Sequence, residues 1–110
     1  MYGEPPGYRV KGRVSTTDAS NHELLPACGK GFKNWISQIT VSNSSNTATE
    51  VHIKSGTTII YTIPAPATGG AILPFPDPID SDEDTAINIA AASGVTTITV
   101  SAAGHKGRAQ

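Results

Sequence analysis

Thr49-Glu50-Val51-His52-Ile53-Lys54-Ser55-Gly56-Thr57-Thr58-Ile59-Ile60-Tyr61-Thr62-Ile63 is the stretch on which the fold turns. Thr49, Val51 and Ile53 alternate with Glu50, His52 and Lys54, which is the period of a strand with one face buried and one wet. Ser55-Gly56 breaks the pattern, and Thr57 to Ile63 resumes it with branched side chains. The pair reads as an antiparallel hairpin. His52 falls on its polar face, as a surface residue would.

Working outward, the same texture covers the chain. Of 110 residues, 11 are Ile, 6 Val and 13 Thr, whereas Leu, Met, Glu, Lys, Arg and Gln together number only eighteen. Side chains branched at Cβ are stiff and pack well on a pleated surface, so the balance excludes a helical bundle and disfavours a dinucleotide-binding α/β enzyme. Charged residues are 15% of the chain, against about 25% in average globular domains. Disorder is excluded too, because it goes with high net charge, and the formal net charge here is −1.

Further strands are expected over Arg9 to Thr16, His22 to Ala27, Trp35 to Ser42, Ala71 to Phe75, Thr85 to Ala91 and Val95 to Ala103. In the third, Trp35, Ser37, Ile39 and Val41 set against Ile36, Gln38 and Thr40 suggest unbroken alternation. Turn chemistry separates the strands at Asp18-Ala19-Ser20-Asn21, Gly29-Lys30-Gly31 and Asn43-Ser44-Ser45-Asn46. Pro64-Ala65-Pro66-Ala67-Thr68-Gly69-Gly70 reads as a loop or edge crossing, because proline cannot donate to an interior ladder. Asp77 to Asp84 reads as an acidic surface loop. Thr85 to Ala91 and Val95 to Ala103 suggest a second hairpin around Ser93-Gly94. About eight short strands at this spacing predict an all-β antiparallel sandwich, jelly-roll-like, over residues 9–103. Residues 1–8, with Pro5, Pro6, Tyr2 and Tyr8, read as an extended arm, and residues 104–110 as a mobile tail.

Tests for chemistry fail. Asp80-Ser81-Asp82-Glu83-Asp84 opens like a calcium loop, but the positions that need Gly and Glu are Thr85 and Ala91. His22, His52 and His105 match no zinc spacing, and Cys28 stands alone as a packing residue that can form no internal disulfide. Gly29-Lys30-Gly31 lacks the rest of a phosphate loop. Asn43-Ser44-Ser45 fits a glycosylation triplet, which has meaning only in a secreted protein. No enzyme activity and no cofactor or metal is expected. The eight Lys and Arg look scattered, which argues against nucleic acid. No apolar run reaches the roughly 18–20 residues of a membrane span. The start lacks the basic and apolar regions of a secretory signal, so synthesis in a cytosol is expected.

Large apolar side chains are few: three Leu, two Phe and one Trp. A thin core borrows burial from neighbours, so a homo-oligomer is expected.

The run from Gly31 to Gly107 adds a resemblance. Ile39-Thr40-Val41-Ser42-Asn43-Ser44-Ser45 is followed by Thr47 to Thr58, then Tyr61-Thr62-Ile63-Pro64-Ala65-Pro66-Ala67 and Gly69-Gly70-Ala71-Ile72. Asp84-Thr85-Ala86-Ile87-Asn88 and Val100-Ser101-Ala102-Ala103-Gly104-His105-Lys106-Gly107 complete it. This order resembles small tailed-bacteriophage virion proteins similar to capsid cement, or head-decoration, proteins. The resemblance covers about three-quarters of the chain and rests on turn and strand phrases. It implies a structural role on the outer surface of a phage head, the major capsid protein as partner, and a trimer. The expected contact residues are Tyr2, Pro5, Pro6 and Tyr8 in the arm, with Pro64, Pro66, Ile72 and Phe75 around the proline-rich crossing. The alternative is a tail, fibre or receptor-binding sandwich that stacks sugars on aromatic side chains. Six aromatics are available to it, most of them at core-like positions.

Overall fold

The computed structural model describes residues 8–92 and 97–108. Eight strands follow in order: β1 (Tyr8–Thr16), β2 (His22–Leu25), β3 (Phe32–Asn43), β4 (Thr49–Ser55), β5 (Thr58–Ala65), β6 (Gly69–Asp80), β7 (Ile87–Ala91) and β8 (Ile98–Arg108). They form two four-stranded antiparallel sheets, ordered β1-β8-β3-β6 and β2-β7-β4-β5. Four nested pairings, β4 with β5, β3 with β6, β2 with β7 and β1 with β8, show one long hairpin rolled over on itself. That is the jelly roll expected from the sequence. Its innermost pair is the Thr49–Ile63 hairpin, which turns at Gly56 with φ of 64°, a conformation glycine adopts without a steric penalty. The Gly56 N–H donates to the Ala86 carbonyl at 2.9 Å, and its carbonyl accepts Asn88 Nδ2 at 2.8 Å, so the tip is tied to the start of β7.

The core lies between the sheets. Ile36, Ile39, Val41, Ile98 and Val100 face Leu25, Val51, Ile53, Ile63, Ile87 and Ile89, all fully buried. Isoleucine and valine carry this interior, which accounts for a composition rich in them and poor in leucine. In β4 the expected alternation holds: Val51, Ile53 and Ser55 are buried while the residues between them are not. Proline sits where a missing donor does least harm. Pro64 lies on β5 and Pro74, Pro76 and Pro78 on β6, and these strands are each the outer member of their sheet.

Four sequence expectations need correction. The alternation of the third strand is broken, because its register with both β6 and β8 shifts between Ile36 and Gln38. The extra residue at Ser37 rotates the strand: Asn34 and Ile36 point inward before it, Ile39 and Val41 after it. Trp35 therefore lies on the outer face rather than with Ile39 and Val41. The second hairpin is absent. β7 is flanked by β2 and β4 and β8 by β1 and β3, so neither has a free edge for the other. The proposed turn at Ser93-Gly94 is outside the described residues. The boundary set at Ala103 is too early, because β8 continues to Arg108, paired on both sides as far as Lys106 and with β3 alone beyond it. At the other end Tyr8 belongs to β1, opposite Lys106, rather than to an arm.

The fourth concerns Asp77 to Asp84. β6 extends well past Phe75 and takes in Asp77 and Asp80. The remaining loop is pinned: Ser81 is buried, its N–H donates to the Asn34 carbonyl at 2.9 Å, and its Oγ accepts the Asn34 N–H at 3.0 Å.

Candidate interaction surfaces

Among the described residues no three of His, Cys, Asp and Glu gather as a metal site would require. The surface carries the features of interest instead. Tyr2, Pro5 and Pro6 are outside the described residues. The other expected contacts sit on the β5–β6 side. Pro64 is paired opposite Glu50 and faces out from one sheet. Ile72 is paired opposite Thr40 and faces out from the other, with 66% of its surface exposed. Exposed Pro66 occupies the turn between them. These residues flank one side of the sandwich without forming a single patch.

Phe75 is half-buried, for a specific reason. It points inward at the open side of the sandwich, where its ring meets Tyr61 edge-on, centroids 5.3 Å apart and planes at 86°. Edge-to-face pairs of this kind put the positive rim of one ring on the negative face of the other. Phe75 thus closes the gap between β5 and β6 and is a packing residue first.

Sequence reasoning missed three exposed apolar side chains. Ile59 is 50% exposed, Tyr61 38% and Phe32 37%. The cause at Ile59 is a second irregularity, a register shift where β5 passes Ile53 and Lys54. It places Ile59 opposite Lys54 on the outer face, where unbroken alternation from Ile63 would have turned it in. None of Phe32, Trp35, Tyr61 and Phe75 is fully buried; of these Phe75 packs against the core from its open side.

Trp35 anchors a polar cluster on the outer face of the β1-β8-β3-β6 sheet. The His105 ring lies parallel to it, with centroids 6.2 Å apart. Lys33 Nζ stands 4.6 Å above the Trp35 ring and is ion-paired to Asp80. A cation over the negative face of an indole is held electrostatically, and the carboxylate fixes its position. Farther along this face β1 presents Arg9, Lys11 and Arg13, all exposed. The i, i+2 spacing was there to be read as a row; counting cations along the whole chain hid it.

Two titratable groups are displaced from their ordinary behaviour. Asp18 Oδ1 is 2.7 Å from His22 Nε2 and accepts the Ser20 N–H at 2.9 Å. The bond to His22, then that from Ser20, holds the Asp18 carboxyl below its ordinary value. Cys28 donates its thiol hydrogen to Asn34 Oδ1 at 3.1 Å, and burial pushes its pKa up. It is a half-buried packing residue, as expected.

No protein-family model and no curated protein matches the chain. Among solved structures, the cryo-EM structure of a virus-like particle of extra small virus from the giant freshwater prawn Macrobrachium rosenbergii aligns with 100% of this chain and 85% of that chain. The TM-score is 0.39 and the identity 12%, a level of likeness that carries no argument about function.

Proposed function

We propose that this protein is a structural component of a virus particle, a decoration subunit that binds the outer surface of a phage head and braces the major capsid lattice. The observation that carries the reading is the exposed Ile72, set on a jelly-roll face beside Pro74 in a chain whose large apolar side chains are few. On the outer face Ile72 and Pro74 give a partner apolar surface to cover. The resemblance of Gly31–Gly107 to cement proteins supports the same role.

The mechanism is linkage. A subunit that binds the assembled shell and not its dissociated parts stabilises the shell by RT ln(1 + [L]/Kd) at each site. About 1–3 kcal/mol per site, repeated over a lattice, becomes a large total. A sandwich suits this work, because its strands are paired before it docks and little ordering is left to oppose binding.

The test is to add purified protein to undecorated, expanded capsids. Saturable binding and a higher temperature of capsid disruption are expected. Absence of both would sink the proposal, and saturable binding to host-cell glycans instead would favour a fibre or receptor-binding module.

A further inference from the structure

The charges of this molecule are sorted by strand. β1, β3 and β8 carry Arg9, Lys11, Arg13, Lys33, Lys106 and Arg108, six of the chain's eight Lys and Arg, and no Asp or Glu. These three strands lie side by side in one sheet. On its outer face they enclose a hollow of about 500 Å³, within the roughly 300–1,000 Å³ of ordinary small-ligand sites. Lys11 and Arg13 form one bank and Gln38 and Thr40 the other, with Ser101 and Ala103 paired between them. Small side chains in the middle strand keep the floor low.

The polar groups of the hollow are unspent, unlike those of the rows on either side. In the row beyond Arg13, the Ser15 and Thr99 hydroxyls bond each other at 2.9 Å. In the row beyond Lys11, the His105 ring lies on Trp35, and Asp80 is paired with Lys33. Between these rows, among the described residues, Lys11, Arg13, Gln38, Thr40 and Ser101 make no side-chain hydrogen bond or ion pair. They offer one ligand two cations, an amide and two hydroxyls, and no carboxylate lines the hollow to repel an anion. An Arg fork and a Lys ammonium suit the oxygens of a phosphate or carboxylate, and amide and hydroxyl groups both donate to and accept from sugar hydroxyls. No aromatic ring lines the hollow, so a nucleobase has nothing there on which to stack.

We propose that this hollow binds an acidic sugar, its phosphate or carboxylate group held by Lys11 and Arg13 and its hydroxyls by Gln38, Thr40 and Ser101. Ile72 does not line the hollow, so ligand binding there and docking on a capsid succeed or fail separately.

NMR titration of the isotope-labelled protein at low salt tests this, with glucose-6-phosphate, glucuronate, glucose and inorganic phosphate as probes. Saturable shifts confined to the hollow's residues, with a Kd of about 1 mM or below, are expected for one or both acidic sugars. Which of the two binds tells a phosphate site from a carboxylate site. Glucose and inorganic phosphate should each bind about tenfold more weakly, because each meets only part of the site. Lys11→Ala and Arg13→Ala should each weaken binding about tenfold, and 0.5 M salt should weaken it too, since exposed charges are screened. Thr40→Val should weaken the acidic sugar and leave inorganic phosphate unchanged. Lys54→Ala removes a cation of the other sheet and should change nothing. Melting curves check that each variant stays folded. Absence of saturable shifts with both acidic sugars would overturn the proposal. So would inorganic phosphate binding as tightly as glucose-6-phosphate, which would mark an adventitious ion only, binding indifferent to the loss of Lys11 and Arg13, or an oligothymidylate that takes the same face far more tightly than either sugar.

Discussion

Gly104 and the Trp35 carbonyl are in such close approach that a Cβ at position 104 would lie 1.9 Å from the Trp35 oxygen and 3.0 Å from the Ile36 Cα. The contact lies at the bulge, where Gly104 is paired with Ile36 and Ala103 with Gln38. Only glycine fits at 104 without one of the two backbones moving.

Gly104→Ala should cost about 3 kcal/mol, the upper range for forcing extra volume into packed structure. Gly12→Ala should behave alike, since its Cβ would lie 2.0 Å from the Leu24 carbonyl oxygen. Gly107→Ala is the control. Its nearest neighbour would be the Trp35 ring at 3.5 Å, an ordinary contact, and the change should fall within about 0.5 kcal/mol. Urea unfolding of the three variants checks the order.

Asn43 should be the polar residue the sandwich tolerates losing least. It is buried, with Nδ2 donating to the Thr47 carbonyl at 2.8 Å and the Ala65 carbonyl at 3.2 Å. Its Oδ1 accepts the Ser45 N–H at 3.0 Å and the Ser45 hydroxyl at 2.7 Å. One side chain so joins β3, the turn after it and the end of β5 in the other sheet. Asn43→Ala leaves several of these groups without partners and should destabilise by about 2–3 kcal/mol. Asn43→Asp should be comparable or worse, because two carbonyls would then face a carboxylate. Chemical denaturation reads both.

Two isoleucines separate folding from docking. Ile53 is fully buried at the centre of the core, and Ile53→Ala should cost about 2–5 kcal/mol. Ile72 is largely exposed, so Ile72→Ala should leave the melting temperature nearly unchanged. On the proposed capsid role, the same change should weaken capsid binding. Melting curves alongside binding isotherms distinguish the two effects.

Asp18 gives the fold a weak acid-sensitive element. Its folded-state pKa is lowered, so the bond to His22 contributes stability above the ordinary carboxylate range, near pH 4, and the contribution is lost as pH falls through the folded value. Asp18→Asn should lie slightly below wild type at pH 6, and the two melting curves should draw together as the pH falls below the ordinary carboxylate range. Melts at half-unit pH steps test this.

Cys28 should react slowly with thiol reagents at pH 7, because burial favours its neutral form and its hydrogen is engaged by Asn34. Labelling should accelerate above the ordinary thiol range. Rapid labelling at neutral pH would mean that the segment carrying Cys28 opens readily.

The sequence by itself determined that the chain is a sandwich and where several of its turns lie, those at Asp18–Asn21, Asn43–Asn46 and Gly56 among them. Branched side chains at period two specify strands whatever surrounds them, and Val51 and Ile53 were legible as core from their neighbours alone. Pro64 was readable at an edge or crossing, since a missing N–H has the same consequence in any sheet, whereas Pro74 and Pro76 read as the end of a strand that runs on through them to Asp80. The paired strand ends were also readable at the Gly56 turn, because that hairpin is local. Tertiary structure decided what depends on partners distant in sequence. Which strand lies beside β7 or β8 follows from which edges are already occupied, so adjacency along the chain misled. The shifts at Ser37 and Ile60 come from register against neighbouring strands, and each reverses the face of every residue beyond it. That is why Trp35 and Ile59 are outside. Assembly of the sheet likewise sets Lys11 and Arg13 of β1 beside Gln38 and Thr40 of β3 and Ser101 to Ala103 of β8 around one hollow, which no single strand could form.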